Sequence, residues 1–145
     1  VVIDNAYTNN FAGTASTQQY VLDYDLNVLA TLNNNAGNLS TVGRVTLNGN
    51  VLDFSELAGF DIATVGGTNT AYALLTVGGT PGLYTLDLAT GQATSLGSFG
   101  SAFGPIYSLA IQPVPEPASV ISLLVGGTML AGLTRWKRKR GRQAG

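Results

Sequence analysis

Potential metal ligands stand at alternate positions in Asp23, Asp25 and Asn27. Oxygen ligands at alternate positions open the calcium loop of EF-hand proteins. Such a loop requires Gly at its sixth position and Glu at its twelfth, where this chain has Val28 and Asn34. The EF-hand motif therefore fails, and no metal site is assigned. Two interpretations stay open: a solvated strand face at a turn, on which the three side chains share one side, or a weak cation site.

Asp53, Glu56 and Asp61 are the other closely spaced acids. Glycosidases use two carboxylates on either side of a cleft, so a polysaccharide-acting hydrolase stays an alternative that two carboxylates about 5 to 10 Å apart in one pocket would favour. Asp61 and Asp87 lie close to turn residues, and we predict that they accept hydrogen bonds from turn amides. No catalytic residue is assigned, and the chain is predicted to be non-catalytic.

The sequence contains no Cys and no His. This absence excludes disulfides, thiolate nucleophiles, Cys- or His-based zinc sites and a Ser-His-Asp triad. No cofactor is predicted.

Charge is divided unevenly along the chain. Before residue 113, seven acids stand against one base, Arg44, which gives a net charge of −6. From Pro113 onward, Glu116 stands against six bases, which gives +5. Because nucleic-acid binding depends on Lys and Arg at the phosphates, the acidic body predicts no nucleic-acid partner.

Three features follow one another in a fixed order at the C-terminus. A proline-rich linker over residues 113–117 contains Pro115, Glu116 and Pro117. The next residues, 118–134, carry no charge. At a helical rise of ~1.5 Å they would extend about 26 Å, close to the ~30 Å hydrocarbon thickness of a bilayer. These residues therefore predict a single transmembrane helix.

The basic tail over residues 135–145 predicts how this helix is oriented. Positive residues next to a span remain in the cytoplasm, so residues 1–117 are expected outside the inner membrane. Trp136 is expected to anchor the helix at the interface. The anchor and basic stop consist of Arg135, Trp136, Lys137, Arg138, Lys139, Arg140 and Arg142.

The order of motif, span and basic tail resembles the sorting signal of bacterial PEP-CTERM proteins, the substrates of exosortases. The resemblance implies that an exosortase-like membrane enzyme recognises Pro115, Glu116 and Pro117. It also implies a transient stay in the inner membrane, followed by the cell surface or secretion, with exopolysaccharide as a further partner. An ordinary tail anchor is the alternative. Residues 1–4 show neither Met nor a signal peptide, which we interpret as N-terminal truncation.

Short apolar segments begin at residues 59, 71, 83, 93 and 106, separated by Gly-rich turns. This spacing is typical of an antiparallel all-β domain. Residues 20–23 and 29–32 match residues 84–87 and 93–96 at an offset of 64, and Ala6-Tyr7 matches Ala71-Tyr72 at 65. We therefore predict repeated four-stranded units, each close in length to a propeller blade. The first copy is predicted to be lengthened by a polar loop around Asn33-Asn34-Asn35.

Several separated motifs resemble the DUF4394 family, among them residues 6–10, 59–62, 71–73 and 83–91. The resemblance implies a partial, propeller-like β-repeat domain of about two blades over residues 1–112. Two blades cannot close a ring, so open sheet edges are expected to pair with another copy or with further blades.

Tyrosines recur in both copies of the repeat. Tyr7, Tyr20, Tyr72 and Tyr84 are predicted to pack within the blades, whereas exposed tyrosines would favour a glycan-binding or adhesion module. Together, the tail and the acidic β-repeat body predict an exported, non-catalytic cell-surface or extracellular-matrix protein.

Overall fold

The computed structural model describes residues 1–100 and 104–112, which contain β-strands and turns and no helix. The predicted all-β class is therefore confirmed for this part of the chain. No helix long and apolar enough to cross a membrane occurs in it, and the predicted transmembrane helix, linker and basic tail lie outside the described residues. The strands are β1 (Val2–Tyr7), β2 (Gln19–Asp23), β3 (Val28–Asn33), β4 (Asn38–Arg44), β5 (Thr46–Leu47), β6 (Asn50–Val51), β7 (Phe54–Val65), β8 (Thr68–Val77), β9 (Thr80–Leu86) and β10 (Gln92–Ser98).

Strands β1 to β4 form the first sheet, an antiparallel meander in the order β1-β2-β3-β4. A tight turn joins β3 to β4: Asn33 Oδ1 accepts the N–H groups of Asn35 and Ala36 at 3.1 and 3.2 Å, and Gly37 supplies a φ of +68°. The sequence had predicted a polar loop at this asparagine run. Strand β4 was missed because it is an exposed edge strand whose pattern has no buried face.

The second sheet has the strand order β6-β5-β10-β9-β8-β7. Its strands β7 to β10 form the predicted four-stranded antiparallel meander. The short β5 extends this sheet by pairing in parallel with β10, so the unit is larger than predicted. The segment 106–111, predicted as a strand, is not one. The two sheets do not form a closed propeller.

The internal repeat is confirmed in the register of two hairpins. Leu22 pairs with Leu29 in β2–β3, and Leu86 pairs with Ala93 in β9–β10. The first strand of the repeat is shifted, however. Tyr20 lies opposite Ala6, whereas Tyr84 lies opposite Ala73 rather than Ala71. The predicted match of Ala6-Tyr7 with Ala71-Tyr72 is therefore displaced by two residues, which keeps the same faces of the sheet inward.

One hydrophobic core joins the two sheets. Leu22 and Leu29 from the first sheet and Ile62 and Leu75 from the second are fully buried in the same cluster. Burial of each such side chain contributes about 1.5–3 kcal/mol to the free energy of unfolding. This shared core fixes the first sheet against β7.

Side chains of β1 and of the loop that follows it also satisfy the outer edge of β7. The Phe60 N–H donates to Asp4 Oδ2 at 2.7 Å, and Asn10 Nδ2 donates to the Ile62 carbonyl at 2.9 Å. These bonds occupy backbone groups that an additional strand would otherwise take.

Candidate functional site

Asp23, Asp25 and Asn27 do not share the face of a strand. Strand β2 ends at Asp23 and β3 begins at Val28, so Asp25 and Asn27 lie in the turn between them. Asp23 Oδ1 accepts the Leu26 N–H at 3.0 Å and closes this turn. The predicted solvated strand face is therefore wrong, because β2 ends two residues before Asp25 and four before Asn27.

Asn27 stabilises a long-range contact from this turn. It is buried and has a φ of +53°, a conformation that Asn tolerates better than most residues. Its Oδ1 accepts the Phe54 N–H at 3.1 Å, and its Nδ2 donates to Asp53 Oδ1 at 3.1 Å. Its carbonyl accepts the Val45 N–H at 2.8 Å. The amide side chain thus holds the β2–β3 turn against the segment that leads into β7.

The carboxylates of this turn face the amino group of Val1. Val1 N lies 2.9 Å from Asp23 Oδ2 and 3.3 Å from Asp25 Oδ2. Burial raises the pKa of Asp23, but hydrogen bonds from the Val1 amino group and the Leu26 N–H outweigh it, so this pKa lies below its usual value. The pKa of the Tyr24 hydroxyl is raised, chiefly by the charge of Asp25. No group of three acidic, His or Cys side chains in the described residues could hold a metal ion.

Two of the three closely spaced acids share a groove. Asp53 and Glu56, both exposed, line a shallow space of about 330 Å³. Asp61 lies apart from it, since its Oδ1 accepts the Ile62 N–H at 2.8 Å and its Oδ2 accepts the Ile111 N–H at 2.6 Å. Asn27 Nδ2 donates to Asp53 Oδ1, so one of the two carboxylate oxygens of Asp53 is engaged by the protein.

The predicted role of Asp87 as an acceptor of turn amides is confirmed. Its Oδ1 accepts the Ala89 and Thr90 N–H groups at 2.7 and 3.0 Å. Asp61 also accepts backbone amides, although its partners lie in a strand and in the segment after β10 rather than in a turn. Both aspartates therefore stabilise the backbone.

A larger and more polar groove lies where β2, β3 and β4 approach the β3–β4 turn. We call it the polar groove; its volume is about 600 Å³. Its lining combines three hydroxyl side chains and Leu32 with six amides. The amide residues are Gln18, Gln19, Asn33, Asn34, Asn35 and Asn38. None of the lining residues is charged.

A family model described as a domain of unknown function, DUF4394, matches residues 1–110. The chain belongs to the DUF4394 family. The resemblance seen in the separated sequence motifs is thereby confirmed, and it covers both sheets. No curated protein and no solved structure matches the chain.

Tyrosines of the DUF4394 domain divide into packed and exposed groups. Tyr20 and Tyr84 are half-buried against the core, as predicted. Tyr7 is 38 % exposed, so its predicted packing within a blade is wrong. Tyr107 is 67 % exposed. Tyr7 and Tyr72 are not equivalent, because of the two-residue shift of the first strand.

Sequence reasoning missed the polar groove of the DUF4394 domain. Its lining comes from three separate stretches of the chain, which meet only through the pairing of β2, β3 and β4. The run Asn33-Asn34-Asn35 was the available signal, but it was interpreted as an inserted loop. The predicted sorting signal, Pro115, Glu116 and Pro117, and the basic tail lie outside the described residues.

We expect millimolar calcium to leave the melting temperature of the DUF4394 domain unchanged. Asp23 Oδ1 and the Asn27 amide are already engaged by protein donors and acceptors, so few oxygens of the Asp-x-Asp-x-Asn motif remain for a cation. Thermal denaturation with calcium and with excess chelator measures the difference. A calcium-dependent rise in melting temperature that Asp25→Asn removes would contradict this prediction.

Proposed function

We propose that the chain is an exported, non-catalytic cell-surface or extracellular-matrix protein processed through its C-terminal sorting signal. The observation that carries this proposal is the fixed order of Pro115-Glu116-Pro117, an uncharged stretch over 118–134 and a basic tail over 135–145. Each part has a separate physical role. Together they favour a signal read by a membrane-embedded processing enzyme over a DNA- or RNA-binding tail.

The uncharged stretch is suited to lipid. It consists of apolar residues together with Gly, Ser and Thr, and it carries no charge. A helix over 118–134 would satisfy its own backbone hydrogen bonds while its side chains face hydrocarbon. The six bases after it oppose transfer of the tail across the membrane. In this arrangement the DUF4394 domain lies outside the inner membrane.

The linker is suited to recognition. Three prolines within residues 113–117 remove backbone donors and restrict the residues before them to extended conformations. Such a segment joins neither a central strand nor a helix. We propose that it is read in extended form by an exosortase-like enzyme, and that exopolysaccharide is the surrounding matrix.

A non-catalytic role for the body is supported by its carboxylates. Asp53 and Glu56 are exposed on a shallow groove, and Asp61 is occupied by two backbone amides. A glycosidase instead holds one carboxylic acid protonated in an apolar setting opposite a second carboxylate. The hydrolase alternative is therefore not adopted.

We expect the chain to stay in the membrane pellet after alkaline extraction of cells that lack the processing enzyme. A lipid-spanning helix resists alkali, whereas a peripheral protein is released. The matched control is the Leu123→Arg/Leu124→Arg variant, because an arginine at the centre of a span costs about 2.5–3.5 kcal/mol. Immunoblotting of pellet and supernatant gives the result. Release of the unmodified chain would refute the membrane-spanning tail.

A further inference from the structure

The polar groove differs from the rest of the body in its charge. The residues before 113 carry a net charge of −6, yet no acid or base lines this groove. Its volume, about 600 Å³, lies within the range of small-molecule sites. Such sites are usually apolar, whereas this one is lined mainly by amides and hydroxyls. An uncharged ligand rich in hydroxyl groups matches this lining better than an ionic or an apolar one.

The base of the polar groove is held in place by hydrogen bonds. Gln19 is 8 % exposed, and its Nε2 donates to Asn5 Oδ1 at 2.7 Å. Gln18 Nε2 donates to the Gln19 carbonyl at 2.9 Å. Asn33 Oδ1 holds the β3–β4 turn through two backbone amides. These bonds fix the groove before any ligand arrives, which lowers the entropic cost of binding.

Other polar groups of the groove remain available. Within the described part of the chain, the side chains of Thr17, Asn35 and Asn38 make no hydrogen bond and are exposed. An amide both donates and accepts hydrogen bonds. A pair of neighbouring sugar hydroxyls presents the complementary donor and acceptor, so the side-chain amides of Asn35 and Asn38 each fit such a pair.

Tyr7 adds an aromatic surface next to the amides. Tyr7 as a residue is 38 % exposed, and its hydroxyl accepts a hydrogen bond from Asn34 Nδ2 at 3.4 Å. Aromatic rings offer an apolar face with a polar end. The apolar C–H face of a sugar ring can pack on such a surface while its hydroxyls reach the amides.

We propose that the polar groove binds a neutral polysaccharide through Asn35 and Asn38, with Tyr7 as a packing surface. The charge of the body disfavours acidic polymers, because the groove supplies no cation to offset it. This proposal does not rest on the sorting signal. Sugar binding and tail processing are measured separately, so either proposal can fail while the other holds.

The test uses the full chain, labelled with nitrogen-15, in a detergent that contains no sugar. Tetrasaccharides of glucose, galactose and mannose are titrated, with tetragalacturonate as the anionic counterpart. We expect at least one neutral tetrasaccharide to shift the side-chain amide signals of Asn35 and Asn38. The Asn35→Ala/Asn38→Ala variant loses two hydrogen-bonding amides, so its affinity for that tetrasaccharide should be about tenfold or more weaker than that of the unmodified chain.

The matched control is Asn50→Ala, which removes an exposed amide from β6 of the other sheet. It should leave the affinity unchanged. Three results would overturn the proposal: no neutral tetrasaccharide shifts these signals, tetragalacturonate or an unrelated peptide binds more tightly than the neutral sugars, or the double variant binds as the unmodified chain does. Retention of the backbone spectrum in each variant shows that the fold is intact.

Discussion

Glu116→Ala is expected to abolish removal of the C-terminal tail. Glu116 is the only polar side chain in residues 113–117 and the only charge between Pro113 and Thr134. The proline after it restricts its backbone to extended conformations, so the carboxylate would be presented to an enzyme in a narrow range of directions. Alanine keeps this restriction and removes the carboxylate. Intact mass of the secreted protein measures whether the tail has been cut.

A simple proline hinge predicts a different result. A hinge depends on Pro115 and Pro117, which this substitution leaves in place, so a hinge would function as before. The control is Val114→Ala, which changes the same linker without touching the motif and should be processed normally. If the Glu116→Ala protein loses its tail at the rate of the unmodified protein, the proposed processing signal is incorrect.

Asn27→Ala is expected to lower the free energy of unfolding by about 3 kcal/mol. The buried Phe54 N–H would lose its acceptor, Asp53 would lose its donor, and alanine would have to adopt a φ of +53°. An unsatisfied buried donor costs about 1–3 kcal/mol. A left-handed conformation costs about 1–2 kcal/mol for most residues, and Asn tolerates it better than Ala because its side chain hydrogen-bonds locally. Urea denaturation followed by circular dichroism measures the change.

The matched control for this substitution is Asn48→Ala. Asn48 has nearly the same φ, +52°, but it is exposed, and its side chain makes no hydrogen bond within the described residues. Its replacement should therefore cost only about 1 kcal/mol. Equal losses of stability in the two variants would show that the bonds to Phe54 and Asp53 contribute nothing and that Asn27 matters only for the turn.

The sequence by itself determined the features that depend on a few consecutive residues. The repeated Tyr-x-Leu-Asp segments predicted hairpins at residues 20–32 and 84–96, and both form with the same register. The position of Asp87 next to a turn predicted that its carboxylate accepts turn amides, because those amides lie only two and three residues away. The proposed sorting signal and the uncharged stretch could likewise be found without a structure, since lipid and the proposed processing enzyme would act on local sequence.

Tertiary structure decided which strands border each sheet. Strand β4 has no buried face that a pattern could reveal. Strand β5 is two residues long and pairs with β10. The paired residues Thr46 and Gln92 are 46 positions apart in the chain. Such pairings are set by the geometry of the whole sheet rather than by local preference. The same limitation made residues 106–111 look like a strand.

Tertiary structure also decided the roles of individual side chains. Asn27 suggested a cation ligand because Asp25 stands two residues before it, but its partners are Asp53 and Phe54, 26 and 27 residues away. The polar groove likewise brings Gln19 and Asn38 together through strand pairing. A buried amide takes whichever partners the fold places beside it, because leaving it unpaired costs free energy. Those partners are fixed by tertiary packing, which cannot be inferred from the residues next to the amide in the sequence.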